Sequence, residues 1–311
     1  MLYIPHPIQY QGSKRNLAPS ILTYFPKQAF RVVEPFSGTA AISVGAAALR
    51  ISRRYWVNDI NEPLVRLLRA IIEEPEKTAA AYRAIWNEQH GESIEHYYQV
   101  RDRFNRTKDE YLFLYLLARC VKGSVRYNSE GLFNQSPDNR RRGTTPDKME
   151  LKITGVSRLL KGKCIFSWKH YREVLEETLE SDVVYMDPPY QGVCGDRDSR
   201  YYSGISARDF IKALEDLNKK GIRYLVSYDG RRGDKTFGEY LPEKLDLLRI
   251  ELEAGRSSQA TLLGRDEVTV ESLYLSPALV SSMKQKPEDY RERAREQLGL
   301  FEHEKRYAVT P

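Results

Sequence analysis

Short apolar runs alternate along this chain with longer helical patterns, and that alternation restricts the fold more than any other feature of the sequence. RVVEPFSG (31–38) reads as a strand ending in a glycine turn, and AAISVGAAALRIS (40–52) as an alanine-rich helix. RYWVN (54–58) predicts a second strand that ends beside Asp59. NEPLVRLLRAII (61–72) then starts a helix, with Asn61 at the N-cap and Pro63 in the first turn. Strands that alternate with helices predict an α/β fold with a parallel sheet, because a parallel crossover needs a connection of helical length. From about 73 to 160 the rhythm is lost. Helical patterns such as DEYLFLYLLARCV (109–121) follow one another and lead into the polar, glycine-rich KGSVRYNSEGLFNQSPDNRRRG (122–143). An inserted domain is expected over 73–160. The rhythm resumes with KCIFSW (163–168), DVVYMD (182–187), a helix over 206–221, IRYLVSYD (222–229) and EVTVESLYLS (267–276). The sheet domain is therefore assigned to 1–72 and 161–283, and 284–311 to a charged tail.

With 311 residues, 41% of them hydrophobic, the chain can bury one sizeable core. It has no run of the roughly 18 apolar residues that a membrane span requires, and its N-terminus lacks the layout of a secretion signal. A cytoplasmic protein without membrane contact is expected. Cys120, Cys164 and Cys194 are far apart and lack histidines at ligand spacing, so neither disulfides nor a metal site are indicated. The net charge of +6 favours a polyanionic partner where the excess is clustered. It is clustered over 119–148, where seven Arg and Lys residues face three acids.

DVVYMDPPYQG (182–192) is a buried-strand pattern that runs directly into two prolines and an aromatic ring. In an open parallel sheet, ligands bind beyond the carboxyl ends of the strands, which places Asp187, Pro188, Pro189 and Tyr190 at a ligand crevice. The prolines stiffen the turn, so the Asp187 carboxylate and the proline carbonyls are held as acceptors while Tyr190 offers a flat face. That set suits a planar amine. The amino group of a nucleobase is a poor nucleophile because its lone pair is delocalised, and two acceptors on its hydrogens turn the lone pair toward an electrophile.

Four segments in this order, QYQGSK (9–14), VEPFSGTAAI (33–42), VNDIN (57–61) and DPPY (187–190), resemble the Dam-like family of adenine-specific DNA methyltransferases over roughly residues 5–276. The resemblance implies a Rossmann-like sheet, mostly parallel with an antiparallel last strand, and a mainly helical target-recognition domain carrying a hairpin. It implies S-adenosyl-L-methionine as cofactor, contacted by Tyr10, Lys14, Glu34, Phe36, Ser37, Gly38, Thr39, Asp59, Ile60 and Asp187. Asp187, Pro188, Pro189 and Tyr190 would carry the reaction. Asp59 is placed either to accept from both ribose hydroxyls or to cap the following helix. Lys14 at a helix start is unfavourable beside the positive end of the dipole unless a carboxylate or ligand answers it. The family commonly has a second glycine where this chain has Ala40, and the turn is expected to survive if φ there is negative. His170 and Tyr171 are candidates for contact with the cofactor adenine, with surface positions as the alternative.

Double-stranded DNA is the partner that the resemblance implies, with the target base swung out of the stack. RYNSEGLFN (126–134) is similar to the family's hairpin segment. Lys122, Arg126, Asn128, Asn134, Arg140, Arg141 and Arg142 are the DNA-binding candidates, Arg126 for a base edge or a phosphate and the arginine triplet for phosphates. Turn formation is an equal reading for Asn128 and Asn134. A restriction-modification setting with a cognate endonuclease and a solitary enzyme both stay open, as do a monomer and a weak dimer. The rival readings are a methyltransferase acting on cytosine, RNA or protein glutamine, and a DNA-binding relative without catalysis. Asp187 argues against the first, since such enzymes often carry Ser or Asn before the prolines. Lys14, Asp59 and DPPY argue against the second.

Overall fold

The β-branched and aromatic runs form a sheet whose strands point in alternation at two cores. A computed structural model describes residues 4–89, 93–189, 205–232, 235–256 and 268–283. Among the described residues there are eight strands, β1 (Arg31–Glu34), β2 (Tyr55–Asn58), β3 (Cys164–Ser167), β4 (Asp182–Met186), β5 (Arg223–Arg232), β6 (Lys235–Phe237), β7 (Leu248–Arg256) and β8 (Val268–Leu275). Seven lie in the order β3-β2-β1-β4-β5-β8-β7, and β6 pairs with β5. β3, β2, β1, β4 and β5 are mutually parallel, whereas β8 runs antiparallel between β5 and β7. β1, β2 and β4 are buried along nearly their whole length because both faces are covered, whereas β3 at the edge leaves Ile165 exposed. Val32 and Val183 face one core, while the adjacent Val33 and Val184 face the other.

β7 has no counterpart among the strands expected from the sequence. Its alternation is nevertheless there: Leu248, Ile250 and Leu252 pack inward, and Arg249, Glu251 and Glu253 intervene.

On one face lie α1 (Ala18–Leu22), α2 (Ala41–Ala48) and α3 (Glu62–Glu73). Leu64, Leu67, Leu68 and Ile71 of α3 recur at helical spacing and are at most 2% exposed. Each such burial contributes roughly 1.5–3 kcal/mol. The 73–160 segment adds α4 (Pro75–Asn87), α5 (Ser93–Thr107), α6 (Glu110–Arg119) and α7 (Pro146–Leu160), whose apolar residues join that same core. Asp109 caps α6 by accepting from the N–H groups of Tyr111 and Leu112. The opposite face is covered by α8 (Tyr171–Glu176) and α9 (Ala207–Lys219), and α10 (Pro277–Ser281) follows β8. The 284–311 tail and Cys194 lie outside the described residues.

Two expectations differ from the structure. Ala40 has φ +53 and ψ +38, not a negative φ. Its N–H donates to the Ser37 carbonyl at 2.7 Å and its own carbonyl accepts from Val44 at 2.9 Å, so the turn holds it in the left-handed region. An alanine there costs about 1–2 kcal/mol, and its fully buried methyl returns about 0.8 kcal/mol. Ala40→Gly should therefore leave stability within about 1 kcal/mol in urea melts, whereas Ala40→Val, β-branched at positive φ, should lose about 2 kcal/mol or more.

Arg119 counts with the basic cluster in the sequence, yet it is 1% exposed. Its guanidinium donates to the carbonyls of Asp138 (2.8 Å), Ser93 (3.0 Å) and Arg141. It braces the chain that leads to the arginine triplet and cannot meet an outside anion.

Candidate active site

The carboxyl ends of β1, β2 and β4 open on one pocket, and nearly all the cofactor and catalytic candidates line it. Tyr10 and Lys14 come from the N-terminal segment, Glu34 through Thr39 from the turn after β1, and Asp59 and Ile60 from the end of β2. Asp187, Pro188 and Pro189 come from the end of β4, and His170 and Tyr171 from the start of α8. Tyr190 lies outside the described residues.

Local chemistry explains the shape of this wall. Gly38 has φ +49, and a Cβ on it would lie 3.6 Å from the Tyr10 ring, so that ring closes over the turn. Ser13 and Thr39 hydroxyls meet at 3.0 Å and tie the N-terminal segment to the same turn. The Phe36 ring packs against Tyr171 at 5.2 Å and Phe210 at 6.4 Å, which makes an aromatic floor.

Asp59 accepts from the Gly38 N–H at 2.9 Å and the Asn61 N–H at 3.0 Å. It does not cap α3, whose N-cap is Asn61. Burial pushes its carboxyl upward, and the two backbone donors oppose that shift. Asn58 is a structural residue of this site that the sequence reading did not single out, although it lies within VNDIN beside Asp59. Fully buried, it binds the strand ends together. Its amide donates to the Pro35 and Lys169 carbonyls at 2.9 and 3.0 Å, and its oxygen accepts from Ser167 and Lys169 at 2.6 and 2.9 Å.

Glu34 is 2% exposed and accepts from the Ser43 N–H at 2.7 Å. Burial drives its pKa up to about 7, with the nearby Asp187 charge adding to the shift. The folded value exceeds the ordinary 4.5, so the folded state favours the protonated carboxyl, and this contribution to stability is lost as pH rises from about 4.5 through about 7. Glu34→Gln should flatten that window and stabilise the protein above pH 7 by on the order of 3 kcal/mol in denaturant melts followed against pH.

Lys14 is 8% exposed, with its ammonium 3.0 Å from Asp187 Oδ1 and 3.1 Å from Glu271 Oε2. Carboxylates thus answer the cation at the helix start. The 73–160 segment holds this region in place: the Gln11 N–H donates to the Gly123 carbonyl at 3.0 Å, and Ser124 bonds the Gln11 side chain. Tyr127 donates to the Asn61 side chain at 3.2 Å.

Farther along that segment, Tyr127 and Phe133 form an antiparallel bridge, the only hairpin pairing seen within 126–134 among the described residues. Asn128 accepts from the Glu130 and Leu132 N–H groups at 3.0 and 2.9 Å, so its oxygen closes the turn. Lys122, Arg126, Asn134, Arg140, Arg141 and Arg142 are exposed. Arg141 pairs with Asp138 at 2.7 Å. Among the described residues no helix is long and apolar enough to cross a membrane.

A parallel sheet whose strand ends present an Asp-Pro-Pro turn, a Phe-Ser-Gly turn and an Asp in one pocket defines a methyltransferase site. Residues 10–255 match the family described as D12 class N6 adenine-specific DNA methyltransferase, and the chain belongs to that family. It is 26% identical over 235 residues to a DNA N-6-adenine-methyltransferase of Escherichia phage P1, a match covering 71% of this chain and 29% of that protein. It is 28% identical over 226 residues to the retron Ec67 DNA adenine methylase of Escherichia coli, covering 71% and 75%. It is 25% identical over 275 residues to the type II methyltransferase M1.LlaDCHI of Lactococcus lactis subsp. cremoris, covering 84% and 92%. The chain thus spans under a third of the phage protein and most of the other two.

Proposed function

We propose that the chain methylates the exocyclic amino nitrogen of an adenine swung out of double-stranded DNA, with S-adenosyl-L-methionine as donor and the 73–160 insertion choosing the site. One observation carries this reading: two carboxylates, Asp187 at the end of β4 and Asp59 at the end of β2, face one pocket floored by aromatic rings. The residues present fit the cofactor. Asp59 is a half-buried acceptor beside Ile60 for the ribose, and Gly38 leaves room for close backbone approach.

When bound, S-adenosyl-L-methionine supplies a methyl group already activated by a positive sulfur. Asp187 and a proline carbonyl accept the adenine amino hydrogens and turn the nitrogen lone pair toward the donor side of the pocket. As the nitrogen gains its methyl it sheds one proton, for which Asp187 is the carboxylate on the amine side. Tyr190, next in the chain, is assigned base stacking on sequence grounds, which would offset part of the few kcal/mol spent on flipping. Arg126 and Asn134 are assigned to the DNA groove, and Lys122, Arg140 and Arg142 to phosphates.

The test is transfer of tritiated methyl to unmethylated plasmid DNA, followed by mass spectrometry of the digested nucleosides. Label in N6-methyladenine is expected. Label in methylcytosine, or in RNA or protein supplied instead of DNA, would replace this reading.

A further inference from the structure

We propose that Glu271 is a positioning residue for methyl transfer: it gives the Lys14 ammonium a second seat, so that Asp187 can turn to accept the adenine amine. The inference rests on the amino-methyltransferase reading above and adds a residue to it. In the sequence Glu271 reads only as part of the last strand.

Sheet topology delivers this carboxylate to the site. β8 is antiparallel, with Thr269 paired to Arg232 and Leu275 to Leu225, so its beginning lies where the parallel strands end. Leu273 and Leu275 point into the core beneath the Lys14 side of the sheet, and Glu271 is the next position on that face. A bulge between Ser227 and Gly230 resets the register, and Gly230 stands opposite Glu271. A Cβ on Gly230 would lie 2.7 Å from the Val270 carbonyl, so glycine is required for β8 to come this close. Lys14 and Asp187 belong to the pocket wall and Glu271 does not, so Glu271 reaches the ammonium from behind.

The charges give the arrangement its purpose. Lys14 sits 3.0 Å from Asp187 Oδ1, on the carboxylate that must accept an amino hydrogen. With Asp187 as its only anion, an 8% exposed cation would have to give up its counter-charge whenever an adenine arrived. Glu271 at 3.1 Å, itself 23% exposed, removes that obstacle: the ammonium keeps a full ion pair while Asp187 turns to the base. The isosteric Glu271→Gln keeps an acceptor and the shape but withdraws the charge, and Lys14 then closes on Asp187.

The experiment is single-turnover methyl transfer to unmethylated plasmid DNA by the full chain and by E271Q, E271D, K14Q and K14Q/E271Q, at enzyme excess, with cofactor affinity and thermal melting measured in parallel. E271Q should slow transfer at least about tenfold with cofactor affinity within about threefold and melting unchanged. E271D, which keeps the charge, should recover most of the rate. Added to K14Q, E271Q should cost less than about twofold more, because Glu271 acts through Lys14. An E271Q rate within about twofold of the parent, the same tenfold loss in the K14Q background, or a rate loss matched by lost cofactor binding or lowered melting in both E271Q and E271D would overturn the proposal. An inactive parent chain would instead overturn the methyltransferase reading on which it stands.

Discussion

Asp187→Ala is expected to lower single-turnover methyl transfer to DNA by on the order of a thousandfold, with cofactor affinity changed far less. The loss follows from the proposed role of the residue at the reacting nitrogen: without the carboxylate the amino lone pair would stay conjugated with the purine ring, and a positioned polar group at a reacting centre is worth roughly 100- to 1000-fold. Asp187→Asn, which keeps one acceptor but presents a misplaced N–H, should fall between the parent and the alanine variant. Folding should survive in both, because Lys14 retains its contact with Glu271 at 3.1 Å. Parent-like rates in Asp187→Ala would remove the residue from the chemistry; equal losses of cofactor binding and rate would make it a cofactor ligand alone.

Arg119→Ala should act on stability instead, lowering it by about 3 kcal/mol and the melting temperature by roughly 5 °C. Three carbonyls, those of Ser93, Asp138 and Arg141, lose a donor in a place that water does not reach freely. Arg119→Lys should rescue little, since an ammonium lacks the planar fork that spans all three. DNA affinity should fall alongside, because the braced chain carries Arg140 and Arg142, which are proposed to meet phosphates. Calorimetry with and without DNA checks both parts, and a variant that melts like the parent would show that the loop holds itself.

Whatever depends on local pattern is legible in the sequence. The β1, β2 and β4 runs, the glycine turn and the Asp-Pro-Pro stop are each written in consecutive residues, and together they place the pocket. Lys14 is legible as a cation needing an anion, but not which anion: Glu271 is brought to it by a strand whose partner, β5, lies far away in the chain, through a bulge that no local rule sets. Ala40 shows the opposite limit. Local sterics predict a negative φ, and the buried turn overrides them. Arg119 looks like any surface arginine until α6 and the following loop fold around it, and Asn58 reveals its role only when three strand ends converge.

That this pocket methylates adenine in DNA is open to one decisive measurement: long-read sequencing of DNA from a methylation-deficient host expressing the chain, beside an Asp187→Ala control. N6-methyladenine at one short sequence motif, present with the parent and absent with the control, is the expected result. Unmodified adenine throughout, from cells in which the protein is folded and binds S-adenosyl-L-methionine, would contradict it.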